Sequence, residues 1–357
     1  MVINLNFWKN KKVLLTGHTG FKGSWLSTWL KKLGAELIGI SKDIPTVPSL
    51  FELAQVSQKM VSITGNINEI DDLEKIVSKY KPEIVIHMAA QSLVRKSYES
   101  PIDTFTTNVI GTANLLEVVK RIGGTRVFIN VTSDKCYANT NQVNGFSEDS
   151  PMGGYDPYSS SKGCAELVTS AYRSSFFNPK EFECHKLSLS SVRAGNVIGG
   201  GDWSNDRLIP DIIRGISKNK SVDIRNLNSI RPWQFVLDAL NGYLILAEKM
   251  WNNGKEFSEP WNFGPNENDC KTVEWVLENM STKWNNMFTW TNDSKNNPHE
   301  DKILKLDCTK SHKRLGWNTK LNADETIQWT IDWYKEFFNK SNMKNVTENQ
   351  IDKFLSK

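Results

Sequence analysis

Through the first half of the chain, short solid apolar runs alternate with stretches whose apolar side chains recur every three or four positions. KKVLLT (11–16), ELIGIS (36–41), PEIVIHMAA (82–90) and TRVFINVTS (125–133) read as strands. Between them, GSWLSTWLKKLG (23–34), DDLEKIVSKY (71–80) and NVIGTANLLEVVKRIG (108–123) carry the helical period. In the first of these, Trp25, Leu26, Trp29, Leu30 and Leu33 share a face, and Gly34 ends it. A strand with one wet face alternates apolar and polar residues. These do not alternate, so both faces are covered. Strand–helix repetition with right-handed crossovers predicts an α/β fold built on a doubly wound parallel sheet.

Beyond about residue 179 the pattern loosens. KLSLSSVRAGNV (186–197) reads as one more strand with its exit loop, and helices are expected over 211–218 and 238–250. From residue 199 onward Trp, Asn, Pro and Gly are frequent. This predicts a Rossmann-type domain over 1–198 and a smaller mixed α/β substrate-binding lobe over 199–357. Segments near 230–265 are expected to return to the first domain. The polar tail (337–357) is expected to be peripheral.

Composition narrows the classes. The 357 residues carry 44 Lys and Arg against 40 Asp and Glu, a net charge of +4 without a basic run, so no nucleic-acid partner is expected. Five scattered cysteines without a CxxC motif indicate neither a disulfide framework nor a zinc or other metal site, and a reducing compartment. No apolar run approaches a membrane span, and the first residues lack a signal-peptide core, so a cytoplasmic protein is expected.

TGHTGFKG (16–23) joins the first strand to the first helix. Gly17 permits the tight turn, Gly20 lets backbone approach a pyrophosphate, and Gly23 allows close helix–strand packing. The helix N-terminus then offers free N–H groups to the phosphates of a dinucleotide. A plain strand-to-helix turn is the rival reading. Asp43, about 20 residues past the loop, is placed to hold a ribose 2′-hydroxyl and favours NAD over NADP. Lys42 beside it pulls the other way, and a solvated loop acid is the rival for Asp43.

PYSSSKGCAE (157–166) contains Tyr158 and Lys162, which share a helix face at i and i+4. An ammonium one turn from a phenol stabilises the phenolate, so the tyrosine is expected to take a hydroxyl proton near neutral pH. VTSDKCY (131–137) places Ser133 at a strand end, followed by Asp134 and Lys135. Ser133 completes a hydroxyl–phenol–ammonium trio. Hydride transfer leaves the Asp134–Lys135 pair surplus, and a solvated salt-bridged turn is its rival reading.

The glycine spacing and the trio resemble the extended branch of the short-chain dehydrogenase/reductase superfamily. The resemblance implies NAD held by Gly17, Thr19, Gly20, Phe21, Lys22 and Gly23, and by Asp43. It adds Asn66 and Ile67 of GNI (65–67), where the superfamily often has Gly-Asp-Ile and Asn66 departs from it. Met88, Ala89, Ala90 and Gln91 would line the nicotinamide side, joined by Thr132, Tyr158 and Lys162. Asn108 would support the site, with a helix N-cap as its rival role.

Nucleotide-sugar 4,6-dehydratases carry an acid–base pair directly after the catalytic Ser/Thr. Those acting on dTDP- or GDP-sugars usually show Asp-Glu, whereas Asp134-Lys135 resembles the branch acting on CDP-glucose. AAQSLVRKSYESP (89–101), VRAGNVIGGGDWSNDRLIPDIIR (192–214), IRPWQFVLD (230–238), WNFGP (261–265) and HEDKILKLDCTKSHKRLGW (299–317) resemble that family's blocks in order. Phe235 stands where a histidine is expected. The resemblance implies a CDP-glucose substrate and a catalytic set of Ser133, Asp134, Lys135, Tyr158 and Lys162. Arg207 and Arg231 suit the substrate pyrophosphate. Asn196, Leu208 and Pro210 are expected around the nucleotide, with Gln91, Ser133, Gln234, Arg193, His299 and Glu300 as further substrate contacts. Surface pairing or core packing is the rival reading for the last three. A homodimer or tetramer and a role in deoxysugar and surface polysaccharide (lipopolysaccharide O-antigen) synthesis are further implications. Rival functions are a dTDP- or UDP-sugar dehydratase or epimerase on the same scaffold, and a non-catalytic NAD-binding protein.

Overall fold

Side chains of opposite parity leave each strand on opposite faces, and here both faces are apolar. The computed structural model describes residues 3–140, 142, 144–285, 288–292 and 301–357. Its main sheet has seven parallel strands, β1 (Lys12–Thr16), β2 (Glu36–Ser41), β3 (Val61–Thr64), β4 (Ile84–His87), β5 (Val127–Val131), β6 (Ser188–Ala194) and β7 (Trp261–Phe263). Their spatial order is β7-β6-β5-β4-β1-β2-β3. The principal helices are α1 (Phe21–Lys32), α2 (Ile70–Tyr80), α3 (Gly111–Ile122), α4 (Pro157–Ser175), α5 (Leu208–Lys218), α6 (Val236–Asn252), α7 (Ala323–Phe338) and α8 (Met343–Ser356).

Leu14, Ile38, Ile40, Val85 and Phe128 pack in one core with Leu73 and Val77 of α2 and Leu115 and Val119 of α3. Val13, Leu15, Ile84, Ile86, Val127 and Ile129 belong to a second core with α1, α6, α7 and α8. This two-sided burial is why the strand sequences read as unbroken apolar runs. The strand order turns back between β4 and β1, so the exits of β1, β4 and β5 meet at the carboxyl edge of the sheet, where such folds bind ligands.

Within the stretch near 230–265 the chain lies against the sheet. α6 lies on the sheet and β7 pairs with β6 in register Trp261↔Val192. The polar tail is not peripheral. It forms α8, started by Asn342 accepting from Asn345 N, and Ile351 and Phe354 are fully buried. Phe354 meets the Trp29 ring of α1 at 5.7 Å. Three small strand pairs roof the carboxyl edge: Val197–Ile198 with Gln234–Phe235, Ile230–Pro232 with Cys270–Thr272, and Val222–Ile224 with Trp290–Asn292. Phe235 packs edge-on against Trp25 and Trp329, at 6.3 and 5.6 Å between ring centres. An apolar ring suits that position, and a polar one would be stranded there.

Candidate active site

The glycine loop is shaped by close approaches. Gly17 has φ +76°, and a Cβ there would stand 2.8 Å from the Ala89 backbone nitrogen at the exit of β4. A Cβ on Gly23 would overlap the carbonyl of Gly17, so α1 starts directly on the turn. Gly20 is the N-cap and offers no side-chain acceptor, which leaves the first N–H groups of α1 open to an anion. These features fit a dinucleotide pyrophosphate.

Hydroxyls hold the loop in place. Thr16 Oγ1 accepts from the backbone N–H groups of Met88 (3.0 Å) and Ala89 (3.1 Å), joining the exits of β1 and β4. Thr19 spends its hydroxyl on the Asp43 carbonyl at 2.6 Å, and the Asp43 side chain is exposed. His18, unremarked in the sequence, is buried and bonds Ser41 Oγ (2.9 Å) and Ser62 Oγ (2.8 Å). Its ring fills the space a side chain on Gly39 would need. Asn66 Oδ1 accepts from Asn68 N at 3.1 Å and shapes its own turn, while Ile67 is buried against Gly111.

Asn108 lies in a π-turn (Thr106–Ile110) just before α3 and caps no helix. Its amide donates to the Gln91 carbonyl (2.9 Å) and Ser161 Oγ (2.8 Å), and its Oδ1 accepts from Gln91 N (2.8 Å). It thereby locks the β4 exit to α4. π-turns recur at functional sites. Ala90 follows in the same exit, half-buried. The Gln91 side chain donates to the Leu93 carbonyl (3.0 Å) and Thr104 Oγ1 (2.9 Å), so it braces the loop instead of facing a ligand.

α4 is nucleated by Asp156, which accepts from Ser159 N (2.9 Å), with Pro157 at its first position. Tyr158 and Lys162 then project one turn apart beside the end of β5. Lys162 Nζ donates to the Val131 carbonyl at 3.4 Å. Ser133 hydrogen-bonds to Tyr158. Its Oγ also donates to Asp134 Oδ1 (3.0 Å) and accepts from Lys135 N (3.2 Å). Asp134 Oδ2 is buried with no partner.

Burial sets the proton affinities here. Desolvation pushes Asp134 up to about 6, against the pull of Lys135, Ser133 and Arg231. It lowers Lys162 to about 8. Tyr158 was expected below its usual range. It is instead pushed up to about 12 by burial, which outweighs the Ser133 hydrogen bond and the Arg207 charge.

Asp134 and Tyr158 open on one cavity of about 320 Å³. Phe21, Lys22, Ser133, Asp134, Lys135 and Tyr158 line one part of it. Asn196, Arg207, Leu208, Pro210 and Arg231 line another. Arg207 is held by Asp202 (3.1 Å) and Ser92 Oγ (3.2 Å). Thr132 also borders the cavity, but its hydroxyl donates to Glu166.

Besides Gln91, two expected substrate contacts lie elsewhere. Arg193 is 3% exposed and pairs with Glu166 at 2.7 Å, donating also to Tyr137 Oη at 2.7 Å. Its guanidinium is a buried cross-link between β6 and α4. Gln234 donates to the Phe263 carbonyl at 2.7 Å and lies in the core beneath the roof. His299 and Glu300 lie outside the described residues. Trp233, Ile224 and Val273 line the cavity and were not singled out in the sequence. Trp233 stands in the RPWQ block, which gave a signal; Ile224 and Val273 are ordinary apolar positions and gave none.

A glycine loop at the strand-order reversal, facing a Ser–Tyr–Lys centre, defines a dinucleotide-binding scaffold of the extended short-chain dehydrogenase/reductase type. More narrowly, the chain belongs to the GDP-mannose 4,6 dehydratase family, whose sequence model matches residues 14–330. A CDP-glucose 4,6-dehydratase of Salmonella typhimurium is 52% identical, over 99% of each chain. A dTDP-glucose 4,6-dehydratase of Haemophilus influenzae is 26% identical, over 92% of this chain and 98% of its own. Among solved structures, the dTDP-glucose 4,6-dehydratase of Bacillus anthracis in complex with NAD superposes with TM-score 0.75 at 22% identity, covering 94% of this chain and 99% of that one. The UDP-glucose 4-epimerase of Thermotoga maritima superposes with TM-score 0.78 at 22% identity, covering 91% and 99%. At such identities the superpositions speak to the fold.

Proposed function

We propose that the protein is an NAD-dependent hydro-lyase that converts CDP-glucose to CDP-4-dehydro-6-deoxyglucose and water. The observation that carries this reading is Asp134: a buried carboxyl, with one oxygen unpartnered, in the same cavity as Ser133 and Tyr158. Redox at one carbon needs the trio alone, whereas elimination needs an added acid and base. The choice of CDP-glucose rests on the Asp134–Lys135 pair and on the 52% identity to a CDP-glucose 4,6-dehydratase.

In this reading NAD, when bound along the Gly17–Gly23 loop, supplies the hydride acceptor at C4 and the donor at C6. Ser133 Oγ orients the C4 hydroxyl, and Tyr158 Oη takes its proton once the Lys162 ammonium and the positive charge that NAD would bring have lowered the buried phenol. The C4 ketone acidifies the C5 proton, which Lys135 Nζ removes. Asp134 gives its proton to the C6 hydroxyl, which leaves as water, and Lys135 returns a proton to C5 when C6 is reduced. Arg207 and Arg231 hold the substrate pyrophosphate, and Leu208 and Pro210 wall the nucleotide. Purified protein supplied with NAD is expected to form a 4-keto-6-deoxy sugar from CDP-glucose in preference to dTDP-, UDP- and GDP-sugars. Preference for any of those three would overturn the substrate, and absence of turnover would overturn the activity.

Exposed Ile102, Ile110 and Leu167 (77%, 52% and 59%) lie on the flank formed by α4 and the segment leading into α3. They support a homo-oligomer through that flank, which sedimentation velocity of Leu167→Glu against the unaltered protein would test. Free cysteines, and the lack of a membrane-length apolar helix among the described residues, support a cytoplasmic location.

A further inference from the structure

Asp134 and Lys22 line the cavity, and Tyr243 is fully buried beside Lys22, the three coming from separate elements. Lys22 stands in the first turn of α1, Tyr243 in the middle of α6, and Asp134 directly after β5. Lys22 Nζ is 6.0 Å from the centre of the Tyr243 ring. The Asp134 charge acts on both Lys22 and Tyr243. Asp134 Oδ2 and Tyr243 Oη are each buried without a hydrogen-bond partner. Gly195 passes close beside that carboxyl oxygen: a Cβ there would stand 2.9 Å from it and 2.3 Å from Pro232 Cγ.

Each of these features is unfavourable on its own. The Tyr243 ring packs edge-on against Phe263 at 5.6 Å, and a phenyl ring would serve that packing without stranding a hydroxyl. A lysine in the first turn of a helix opposes the helix dipole. Burial and the like charges of Lys162 and Arg207 pull Lys22 down to about 7. The group that would satisfy all three is small, donates to a carboxylate, and accepts from a phenol or an ammonium. Water does this, and the proposed reaction produces one here.

We propose that Lys22 and Tyr243 are positioning residues that hold the eliminated water against Asp134 and keep the acid aimed at C6. The proposal rests on the dehydratase reading. The C6–O bond breaks with its electron pair on oxygen, and Asp134 supplies the proton that completes the water. The C5–H pair becomes the C5–C6 double bond as Lys135 takes that proton. Asp134 is left anionic, and the Lys22 ammonium balances it while Tyr243 Oη binds the water.

Rapid mixing of protein, NAD and CDP-glucose tests this, because reduced-nicotinamide absorbance reports C4 oxidation and the 4-keto-6-deoxy product reports dehydration. Tyr243→Phe is expected to slow dehydration about ten-fold, the effect of one ordinary hydrogen bond. Oxidation at C4 is expected to keep its rate, so the reduced cofactor accumulates, and Tm is expected to hold or rise. Lys22→Met is expected to give the same accumulation. Wild-type product formation in Tyr243→Phe, or equal slowing of both steps with a lower Tm, would overturn the proposal. So would a Lys22→Met protein whose only change is weaker NAD binding. A wild type that oxidises and dehydrates no CDP-sugar overturns the function itself, and that result is read before any variant.

Discussion

Tyr158 and Asp134 are driven in the same direction by the same force. Burial holds the phenol near 12 and the carboxyl near 6, so each keeps its proton more tightly than it would in water. For Asp134 this matches the proposed task, since an acid must begin protonated. Asp134 is protonated below about 6 and loses its proton as pH rises through that value. The dehydration rate is therefore expected to fall on the alkaline side of that pKa. In Asp134→Asn that limb should vanish from the profile of kcat/KM against pH, together with most of the activity. Tyr158→Phe keeps the ring and removes the proton acceptor. Turnover is expected to drop by at least about 100-fold, while calorimetry finds CDP-glucose binding within a few-fold of wild type. Loss of binding in parallel with turnover would assign Tyr158 to substrate affinity alone.

At the scale of single elements, the β1–α1 turn depends on backbone proximity more than on side-chain contacts. Gly23→Ala would push a methyl group into the Gly17 carbonyl and lift α1 off the turn. NAD affinity is expected to fall by at least about ten-fold, roughly one lost phosphate hydrogen bond, as read by titration of cofactor-free protein. The turn was legible in the sequence because glycine spacing encodes backbone approach. Its anchor was not. His18 reaches Ser62, 44 positions away on β3, and nothing local distinguishes that histidine from a solvated one. The Tyr158–Lys162 pairing was legible for the opposite reason, since four residues on a helix fix it locally.

For the molecule as a whole, the parallel sheet was readable because burial on both faces leaves a local mark on every strand. The seat of α8 was not, because its partner is Trp29 of α1, far away in sequence, and its own apolar positions are sparse. Arg193 shows the same limit within the site. An arginine beside a cavity strand reads as a ligand contact until Glu166 is seen 27 positions earlier, 2.7 Å away and equally buried. That pair, braced by Ser191 and Thr132 on the carboxylate, ties α4 to β6. Arg193→Met strands the carboxylate and is expected to destabilise the fold by about 3–5 kcal/mol, measured by urea unfolding. A normal unfolding curve combined with a raised KM for CDP-glucose would return Arg193 to the substrate.

Several glycines in this fold are defined by the large side chain that occupies their missing Cβ. The His18 ring fills the place of a side chain on Gly39, and Trp333 does the same for Gly200. Neither partner of such a pair can change alone without a steric penalty or an empty cavity. Evolutionary drift at these positions must then move in coupled steps. A descendant that gains a side chain at 39 should already have lost the imidazole at 18, and one that gains bulk at 200 should have shed the indole at 333. The two pairs thus leave an expected covariation signature in any lineage of this chain, one that joins the cofactor loop to β2 and the Gly200 turn to α7.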